Sequence, residues 1–401
     1  MMKAGMVLAA FLVSANVAQL EAALLGHSYT RGEKYRIVSE VNEDVAINGS
    51  LSHRSVILNK VAVDTAEVRD GSGLLDCEFQ MSETIRSGSG PYFLKEDYRS
   101  RLWRDARGVC AVGEEYYMPV IRNVPWFPAA EVKPGDTWTA AAEEVHDLRR
   151  GYGIRKPFRF PVTVHYTYLR DEEKEGVKTA VIRIQYNTFH SVDAEGYSAR
   201  PVPVKITGTS EQVCYWDIAR GKMLSSHEEF DYIFFLSNAS SVEYRGSADT
   251  RLIRSSALDR DRIADDLGAR IREDRISDAS VRKDKGGVTI VLEDIRFPPN
   301  SSELTEPEKD KLARIVRILE KFPDRDLRIT GHTARVGDER TSQALSEERA
   351  AAVGNYFLSL GPFKKSRLIT AGKGSREPVA GNEDEAGRKK NRRVEITILE
   401  N

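Results

Sequence analysis

Residues 327–360 read LRITGHTARVGDERTSQALSEERAAAVGNYFLSL, and their apolar residues change from a strand pattern to a helical one. Leu327 to Thr330 is a short run that predicts a strand. Asp338 to Leu360 predicts a helix that Gly361 ends, because glycine readily adopts the left-handed conformation after a last helical turn. The helix positions expected to face inward are Leu345, Val353, Tyr356 and Phe357. A strand followed by a helix of this length is typical of an α/β domain.

The flanking sequence extends this alternation on both sides. Val288 to Leu292 is a nearly continuous apolar run, which is typical of a strand covered on both faces. Pro307 suits a first helical turn and opens a second helix. The inward residues of that helix are Leu312, Ile315, Val316 and Leu319. Arg367 to Thr370 and Val394 to Leu399 predict two more strands. The order β-α-β-α-β-β over residues 286–401 therefore predicts an α/β (α+β) domain with a mixed sheet.

Residues 254–285 are dense in alternating acidic and basic residues and predict a charged helical linker. Its apolar residues recur at four-residue spacing and form one narrow stripe: Ile263, Leu267 and Ile271. We expect this stripe to pack against a neighbouring domain, and binding of a partner protein is the alternative. Ser256 followed by Asp259 is similar to a capping box and predicts the start of the helix.

The chain from Tyr35 to about Leu252 is rich in alternation with period two, the signature of strands with one buried face. The clearest example is Pro161 to Leu169. At least seven such strands predict an all-β region of antiparallel sheets, either one sandwich or two small β modules. Two modules would comprise residues 27–125 and 126–253. No motif in this β-rich half identifies its function.

The N-terminus predicts export. Met1 to Lys3 supply one positive charge, and Ala4 to Ala15 form an unbroken run of apolar and small residues. This run has the length of the apolar region of a secretory signal and is too short to span a membrane. A buried N-terminal helix is the alternative. Small residues place the cleavage site between Ala15 and Ala23, so residues 1–23 contain the signal. No cysteine follows the run, so we expect a protein of the periplasm, or one associated with the outer membrane, without a lipid-modified cysteine.

Composition excludes several classes of partner. The 401 residues carry 60 Lys and Arg against 61 Asp and Glu, a formal net charge of −1. Nucleic acid is not expected as a partner, because the chain lacks the excess of positive charge that holds it. The mean hydropathy is −0.45, and no apolar stretch approaches the ~20 residues of a membrane-spanning helix. We therefore expect no transmembrane helix in the mature chain.

The three cysteines leave two alternatives. Cys77, Cys110 and Cys214 are an odd number, widely spaced and without a C-x-x-C motif. In an exported protein they are compatible with one disulfide between Cys77 and Cys110, or with three separately buried thiols.

The chain carries no recognisable catalytic or metal-binding motif. Its seven histidines lack the spacing of a zinc site, and neither a G-x-S-x-G motif nor a phosphate-binding glycine loop occurs. We expect no metal ion, no cofactor and no catalytic residues. An enzyme in the β-rich half stays open as an alternative, because catalytic partners are often assembled only in space. A transmembrane barrel in this half is a further alternative, since barrels also alternate; against it, the irregular stretch from Arg86 to Phe158 is too long for a periplasmic turn.

Four motif blocks follow one another in residues 286–401. They are Phe297-x-x-Asn300 before Leu304; Ile329-Thr330-Gly331-His332-Thr333; Leu345-Ser346-x-x-Arg349-Ala350-x-x-Val353; and Gly387-Arg388-x-x-Asn391-Arg392-Arg393-Val394-Glu395-Ile396. In order and spacing they resemble the OmpA-like peptidoglycan-associated domain, which occurs in OmpA, the Pal lipoproteins and MotB. The resemblance covers under a third of the chain, and it implies the fold of that domain and a peptidoglycan ligand.

The resemblance also implies a binding mode, in which the domain grips the zwitterionic end of a diamino acid in the peptide stem. An arginine can give the carboxylate two charge-assisted hydrogen bonds, and in the family an aspartate after Gly-His-Thr accepts from the ammonium. By resemblance the peptidoglycan-binding residues here are Arg349, Thr333 and Arg393. Two positions depart from the family: Ala334 stands in place of the aspartate, and Ser342 in place of an asparagine.

The missing carboxylate predicts weakened or non-standard peptidoglycan binding, since a charge-assisted hydrogen bond contributes about 1.5–3 kcal/mol. Asp338 and Glu339 lie in the same loop and could replace it, although two acidic residues there also suit the start of a helix. Arg349 could instead pair with Glu348 or with a loop carbonyl.

Together these observations predict a non-enzymatic structural or adaptor protein of the cell envelope. We expect the β-rich half to contact other envelope proteins, while the C-terminal domain engages peptidoglycan weakly. The alternative is a functional anchor that tethers the outer membrane or a periplasmic complex to the cell wall.

Overall fold

The computed structural model describes residues 22–84, 90–191, 201–254, 258–284, 286–293, 295, 297 and 301–400. The predicted export signal therefore lies almost entirely outside the described residues. Near the start of the described chain, Ala23 pairs with Val132 through two backbone hydrogen bonds of 2.8 and 2.9 Å.

The N-terminal half is built from strands, and the prediction of a β-rich region is confirmed. In chain order the elements are β1 (Lys34–Ile47), β2 (Ser50–Arg69), β3 (Ser72–Thr84), β4 (Tyr92–Arg104), β5 (Cys110–Val112), β6 (Ile121–Arg122), β7 (Thr137–His146), α1 (Arg149–Tyr152), β8 (Phe158–Lys174), β9 (Val177–Ser191), β10 (Pro203–Asp217), β11 (Lys222–Leu236) and β12 (Ser241–Arg254).

These strands form one continuous antiparallel ladder. Its order is β6-β7-β8-β9-β10-β11-β12-β1-β2-β3-β4-β5. The first strand lies between β2 and β12, with Ile37 opposite Leu252 and Val45 opposite Tyr244. Strands from both sides of the predicted division at residue 125 are thus hydrogen-bonded into the same sheet.

The sheet rolls so that strands near its two ends approach each other. Tyr98 on β4 donates a hydrogen bond of 3.0 Å to Asp147, which follows β7. Ser100, also on β4, donates one of 2.9 Å to the carbonyl oxygen of Met118. The inner face carries the apolar side chains, and its core includes Val162, Val164, Ile182, Ile184 and Trp216. On the opposite, outer face, Asn187, Phe189 and Thr209 are exposed.

The C-terminal domain combines five strands with four helices. The elements are α2 (Arg260–Glu273), β13 (Ala279–Asp284), β14 (Gly287–Glu293), α3 (Glu306–Leu319), β15 (Leu327–Gly331), α4 (Glu339–Ser359), β16 (Leu368–Gly372), α5 (Glu385–Asn391) and β17 (Arg393–Leu399), with a 3₁₀ turn at Lys365–Arg367. The strand order is β13-β14-β17-β15-β16, and within it only β15 and β16 are parallel. Sequence patterns did not reveal β13 or α5, because both are short and dominated by polar residues. None of the helices in the described ranges is long and apolar enough to span a membrane.

The charged linker helix is α2, and its apolar stripe packs into the C-terminal core as expected. Ile263, Leu267 and Ile271 are all buried there. The N-cap is Asp259, whose side chain accepts a hydrogen bond from the backbone N–H of Arg262. The predicted capping box begins at Ser256, which lies outside the described residues.

All three cysteines are free thiols. Cys77 lies on β3 and Cys110 on β5, with β4 between them. Neighbouring strands are ~4.8 Å apart, so Cα atoms two strands apart exceed the ~7 Å that a disulfide tolerates. The alternative of a Cys77–Cys110 disulfide is therefore wrong for this fold. Burial raises the pKa of the Cys77 thiol to about 12.

The two halves join through strands and through a buried ion cluster. Strand β4 pairs in parallel with β16, which extends the N-terminal sheet into the C-terminal one. Beside this junction, the carboxylate of Asp326 accepts hydrogen bonds from Arg36 and from Lys60, the latter of 2.7 Å. Lys60 also donates to the carbonyl oxygen of Ser366 at 2.7 Å. The halves therefore share both a sheet and a set of buried charges.

Candidate functional site

The loop that carries the predicted binding residues begins where β15 ends. A Cβ atom on Gly331 would lie 2.2 Å from the carbonyl oxygen of Ser346, so only glycine lets the strand approach α4 this closely. The next residues are held by the neighbouring loop, because the N–H of Thr333 donates to the carbonyl oxygen of Gly374 at 2.9 Å. The loop is thereby fixed between β15, α4 and the turn after β16.

A buried charge network lies beneath this loop. Glu395 on β17 accepts hydrogen bonds from Arg393 at 2.8 Å and from Arg282 at 3.0 Å. Burial opposes ionisation of Glu395, but these two arginines hold its pKa below the usual value. His332 lies 3.4 Å from Arg393 and 3.8 Å from Glu395. Burial and the charge of Arg393 lower the pKa of His332 to about 4, so the ring is neutral at pH 7.

Three buried polar atoms at this site have no hydrogen-bond partner within the described structure. They are Nδ1 of His332, Oγ1 of Thr333 and Nη1 of Arg393. All three residues are at most 7% exposed. A buried polar atom without a partner costs about 1–3 kcal/mol, so such atoms are normally satisfied by water or a ligand. Two of the three residues, Thr333 and Arg393, are predicted binding residues.

Arg349, the third predicted binding residue, projects from α4. Its Nε donates to the carbonyl oxygen of Ser301 at 3.3 Å, and its guanidinium lies 4.8 Å from the ring centre of Phe297. Burial and the nearby charge of Arg392 lower its pKa. No carboxylate among the described residues pairs with it, so the loop carbonyl and not Glu348 is its partner. An arginine that is not neutralised can receive an anion.

The two departures from the family pattern are both buried. Ala334 is 6% exposed and carries no polar group at the place where the resemblance expects a carboxylate. Ser342 is also 6% exposed and lies in the first turn of α4, where its N–H donates to the carbonyl oxygen of Asp338.

The nearby acidic residues have other roles. Asp338 caps α4 by accepting from the N–H groups of Arg340 and Thr341 at 2.9 and 3.2 Å. Hydrogen bonds from Thr341 lower its pKa, which agrees with the capping role that the sequence suggested. Glu339 accepts a hydrogen bond of 2.7 Å from Ser375. Neither carboxylate is therefore free to replace the missing one in this conformation.

The last motif block has mainly a structural role. Asn391 is 1% exposed, and its side-chain oxygen accepts from the N–H groups of Val379 and Ala380 at 2.8 and 3.1 Å. It is the last residue of α5. Arg393 is the first residue of β17 and is 4% exposed, while Arg392 follows the end of α5 and pairs with Glu385.

Sequence reasoning missed Glu395 and Arg282. In the sequence, Glu395 is one residue of the final motif among others. It lies two positions after Arg393, which places both side chains on one face of the strand and is the signal that could have identified it. The second lies on β13, which no pattern predicted. Among the described residues no group of three or more side chains could hold a metal ion.

The N-terminal half contains a second buried polar cluster, on the inner face of the sheet. The carboxylate of Glu144 lies 2.9 Å from Nε2 of His146 and accepts a hydrogen bond of 2.9 Å from Tyr232. Tyr232 in turn contacts the hydroxyl of Tyr186 at 2.8 Å. Glu144 is 1% exposed, so the cluster is a buried network whose polar groups are partners of one another.

The family match lies within the C-terminal domain. Residues 296–392 match the sequence profile of the OmpA family. The outer-membrane lipoprotein YfiB of Pseudomonas aeruginosa is 34% identical over 116 residues, 29% of this chain and 68% of that protein. The peptidoglycan-binding protein ArfA of Mycobacterium tuberculosis is 35% identical over 104 residues, 26% of this chain and 32% of that protein.

Most of these matches cover a limited part of the relatives. A match of 35% identity to the Photosystem I P700 chlorophyll a apoprotein A2 of Gloeobacter violaceus spans 31% of this chain and only 15% of that protein. This chain and these relatives therefore share one domain, and the match does not include the rest of each relative.

Proposed function

This chain belongs to the OmpA family through its C-terminal domain, and from that membership we propose that it is a non-enzymatic cell-envelope protein that contacts peptidoglycan through an altered site. The β-rich half then serves as an adaptor that faces other envelope proteins. Two observations carry the proposal: Arg349 has no carboxylate partner and Nη1 of Arg393 has no hydrogen bond among the described residues.

The donors suit the carboxylate of a peptide stem. The guanidinium of Arg349 has no carboxylate partner among the described residues, and Nη1 of Arg393 is buried without a hydrogen bond. Arginine offers a fork of donors that matches a carboxylate. These donors support the proposal that the chain retains the part of the site that binds the anionic end of the ligand.

The ammonium of the same ligand lacks its partner. Ala334 offers no acceptor, while Asp338 and Glu339 are held by the start of α4 and by Ser375. Loss of one hydrogen bond to a charged group costs about 1.5–3 kcal/mol, which is roughly a 10- to 150-fold loss of affinity. Weakened or non-standard binding is the expected result.

A full anchor function is the second candidate. It is favoured by one observation, the three buried polar atoms without partners at His332, Thr333 and Arg393. In a pocket that binds no ligand, nothing would favour buried polar atoms that lack a hydrogen-bond partner and lower the stability of the fold.

Sedimentation with purified sacculi tests both candidates. We would compare the full chain with Ala334→Asp and Arg349→Ala, and use Arg340→Ala, an exposed arginine on the same helix, as the matched control. The proposal predicts weak sedimentation of the natural chain, a gain of at least about tenfold for Ala334→Asp, and no sedimentation of Arg349→Ala.

Each outcome decides between the candidates. Tight binding by the natural chain that Arg349→Ala abolishes would establish the full anchor. Binding by none of the proteins, with unchanged thermal unfolding, would overturn the proposal that this site contacts peptidoglycan. Ala334→Asn serves as a neutral control of similar size, because the added volume at a buried position could itself lower Tm.

A further inference from the structure

A cavity of about 550 Å³ opens on the outer face of the N-terminal sheet, far along the chain from the OmpA-like site. It crosses strands β8 to β12. Its polar lining includes His165, Gln185, Asn187, Thr209, Asp231 and Arg245. A volume of this size is typical of sites for small molecules, which range over ~300–1,000 Å³.

Strand register arranges the lining as two parallel rows of side chains. In one row Asn187 lies opposite Thr209, Thr209 opposite Asp231, and Asp231 opposite Arg245. In the other, Gln185 lies between His165 and Glu211. Within a row the side chains repeat every ~4.8 Å, the spacing of neighbouring strands. A ligand with a comparable repeat, such as a chain of linked sugar rings, can contact one polar side chain on each successive strand.

The cavity lining contains three carboxylates, and each of them has a neighbouring partner; that of Glu229 is Nε2 of His227, at 3.5 Å. Asp231 accepts from Arg245 at 2.9 Å, and Glu211 accepts from Gln185 at 2.8 Å. Arg183 also lies 3.5 Å from Glu211. Since each of these carboxylates has its own donor, the cavity does not require a cationic ligand. Its lining favours a ligand that is neutral and rich in hydrogen-bonding groups.

Open hydrogen-bonding capacity remains at the centre. Oδ1 of Asp231 is shielded from solvent and has no partner within the described residues. Among the same described residues, the side chains of Asn187 and Thr209 also form no hydrogen bond, and both residues are exposed. An amide, a hydroxyl and a carboxylate oxygen together offer both donors and acceptors, which suits the hydroxyl groups of a polyol.

An aromatic surface adjoins the polar rows. Phe189 lies two residues beyond Asn187 on the same strand face and is 73% exposed, which is unusual for so large an apolar side chain. Across β10, Phe235 is 36% exposed, and the ammonium of Lys205 lies between the rings, 5.5 and 4.8 Å from their centres. Sugar rings have apolar C–H faces that pack on such aromatic side chains.

We propose that this cavity binds a neutral oligosaccharide. Its hydroxyl groups hydrogen-bond to Asn187, Thr209 and Asp231, and the face of one ring packs against Phe189. The site is independent of the OmpA-like pocket and gives the β-rich half a ligand of its own.

Titration calorimetry on the full chain tests this assignment. The probes are the tetramer of N-acetylglucosamine, the α-linked tetramer of glucose and tetralysine. We expect binding of at least one sugar, and comparison of the two shows whether N-acetyl groups contribute. Asn187→Ala and Phe189→Ala are each expected to raise Kd at least about threefold. Thr163→Ala, an exposed residue of β8 outside the cavity, is the matched control and should leave Kd unchanged.

Several results would overturn the assignment. These are absence of heat from both sugars, binding of tetralysine in their place, or sugar binding that neither cavity variant weakens. Both substituted residues are exposed and lie on one strand, so Thr209→Val on β10 provides a second position should either variant lower Tm. Arg349→Ala must leave sugar binding unchanged, which separates this site from the peptidoglycan site.

Discussion

Replacement of Asp326 by alanine removes the carboxylate that holds two cations at the junction of the halves. The side chains of Arg36, Lys60 and Asp326 are 8%, 6% and 6% exposed. Burial lowers the pKa of Lys60, and the charge of Asp326 opposes that shift. In the variant, Lys60 keeps only the carbonyl oxygen of Ser366 as a partner among these contacts.

The expected loss is large because both cations stay buried. Removal of one partner from a buried ion pair costs about 3–5 kcal/mol, and we expect the free energy of unfolding to fall by this amount at pH 7. Deprotonation of Lys60 would relieve part of the cost. The unfolded chain binds this proton more tightly than the folded one, so the stability of Asp326→Ala should recover as the pH rises towards the ordinary pKa of lysine.

Urea unfolding with two probes measures the effect on each half. All four tryptophans lie in the N-terminal half, so fluorescence reports on that half, whereas circular dichroism at 222 nm reports mainly on helices α2 to α5. We expect the two transitions to separate in Asp326→Ala. The matched control is Asp324→Ala, an exposed aspartate two residues earlier, and Asp326→Asn removes the charge at constant shape.

A loss below about 1 kcal/mol in Asp326→Ala, with coincident transitions, would refute this reasoning. It would mean that the strand pairing of β4 with β16 joins the halves without help from the ion cluster. Equal losses in the Asp324 and Asp326 variants would refute it as well, since only one of these carboxylates contacts Arg36 and Lys60.

Three further predictions follow from buried groups. Burial and Glu83 raise the pKa of Glu43 to about 7, so the free energy of unfolding of the unsubstituted protein should fall as the pH rises from 4.5 to 7. Glu43→Gln should remove up to about 3 kcal/mol of this fall, measured by urea titrations at pH 5 and 8. An unchanged dependence of stability on pH in the variant would contradict the raised pKa. Leu267→Ala should lower the free energy of unfolding by about 2–5 kcal/mol, and a loss no larger than that of the exposed Asp265→Ala would show that α2 is not part of the core. Thiol titration of the unfolded, unreduced protein should count three free cysteines, and a count of one would restore the disulfide.

Much of the site was predictable because its residues occur in ordered motifs. Arg349 lies on α4, Arg393 begins β17 and Asp338 caps α4, while binding of peptidoglycan by the two arginines stays a prediction. The network of Arg282, Glu395 and His332 was not predictable, since it joins β13, β17 and the end of β15 across the sheet. Contacts between strands distant in sequence leave no periodic signal along the chain.

The sequence by itself determined the strands of the β-rich half, the apolar stripe of α2 and the absence of a carboxylate at position 334, because local periodicity and residue identity can be read directly from the chain. Only the tertiary structure decided that β1 pairs with β12 and that Cys77 and Cys110 lie two strands apart. It also decided that Asp326 gathers Arg36 and Lys60 from the other half. These features depend on which strands become neighbours, and burial of the apolar faces selects that pairing only when the whole sheet forms.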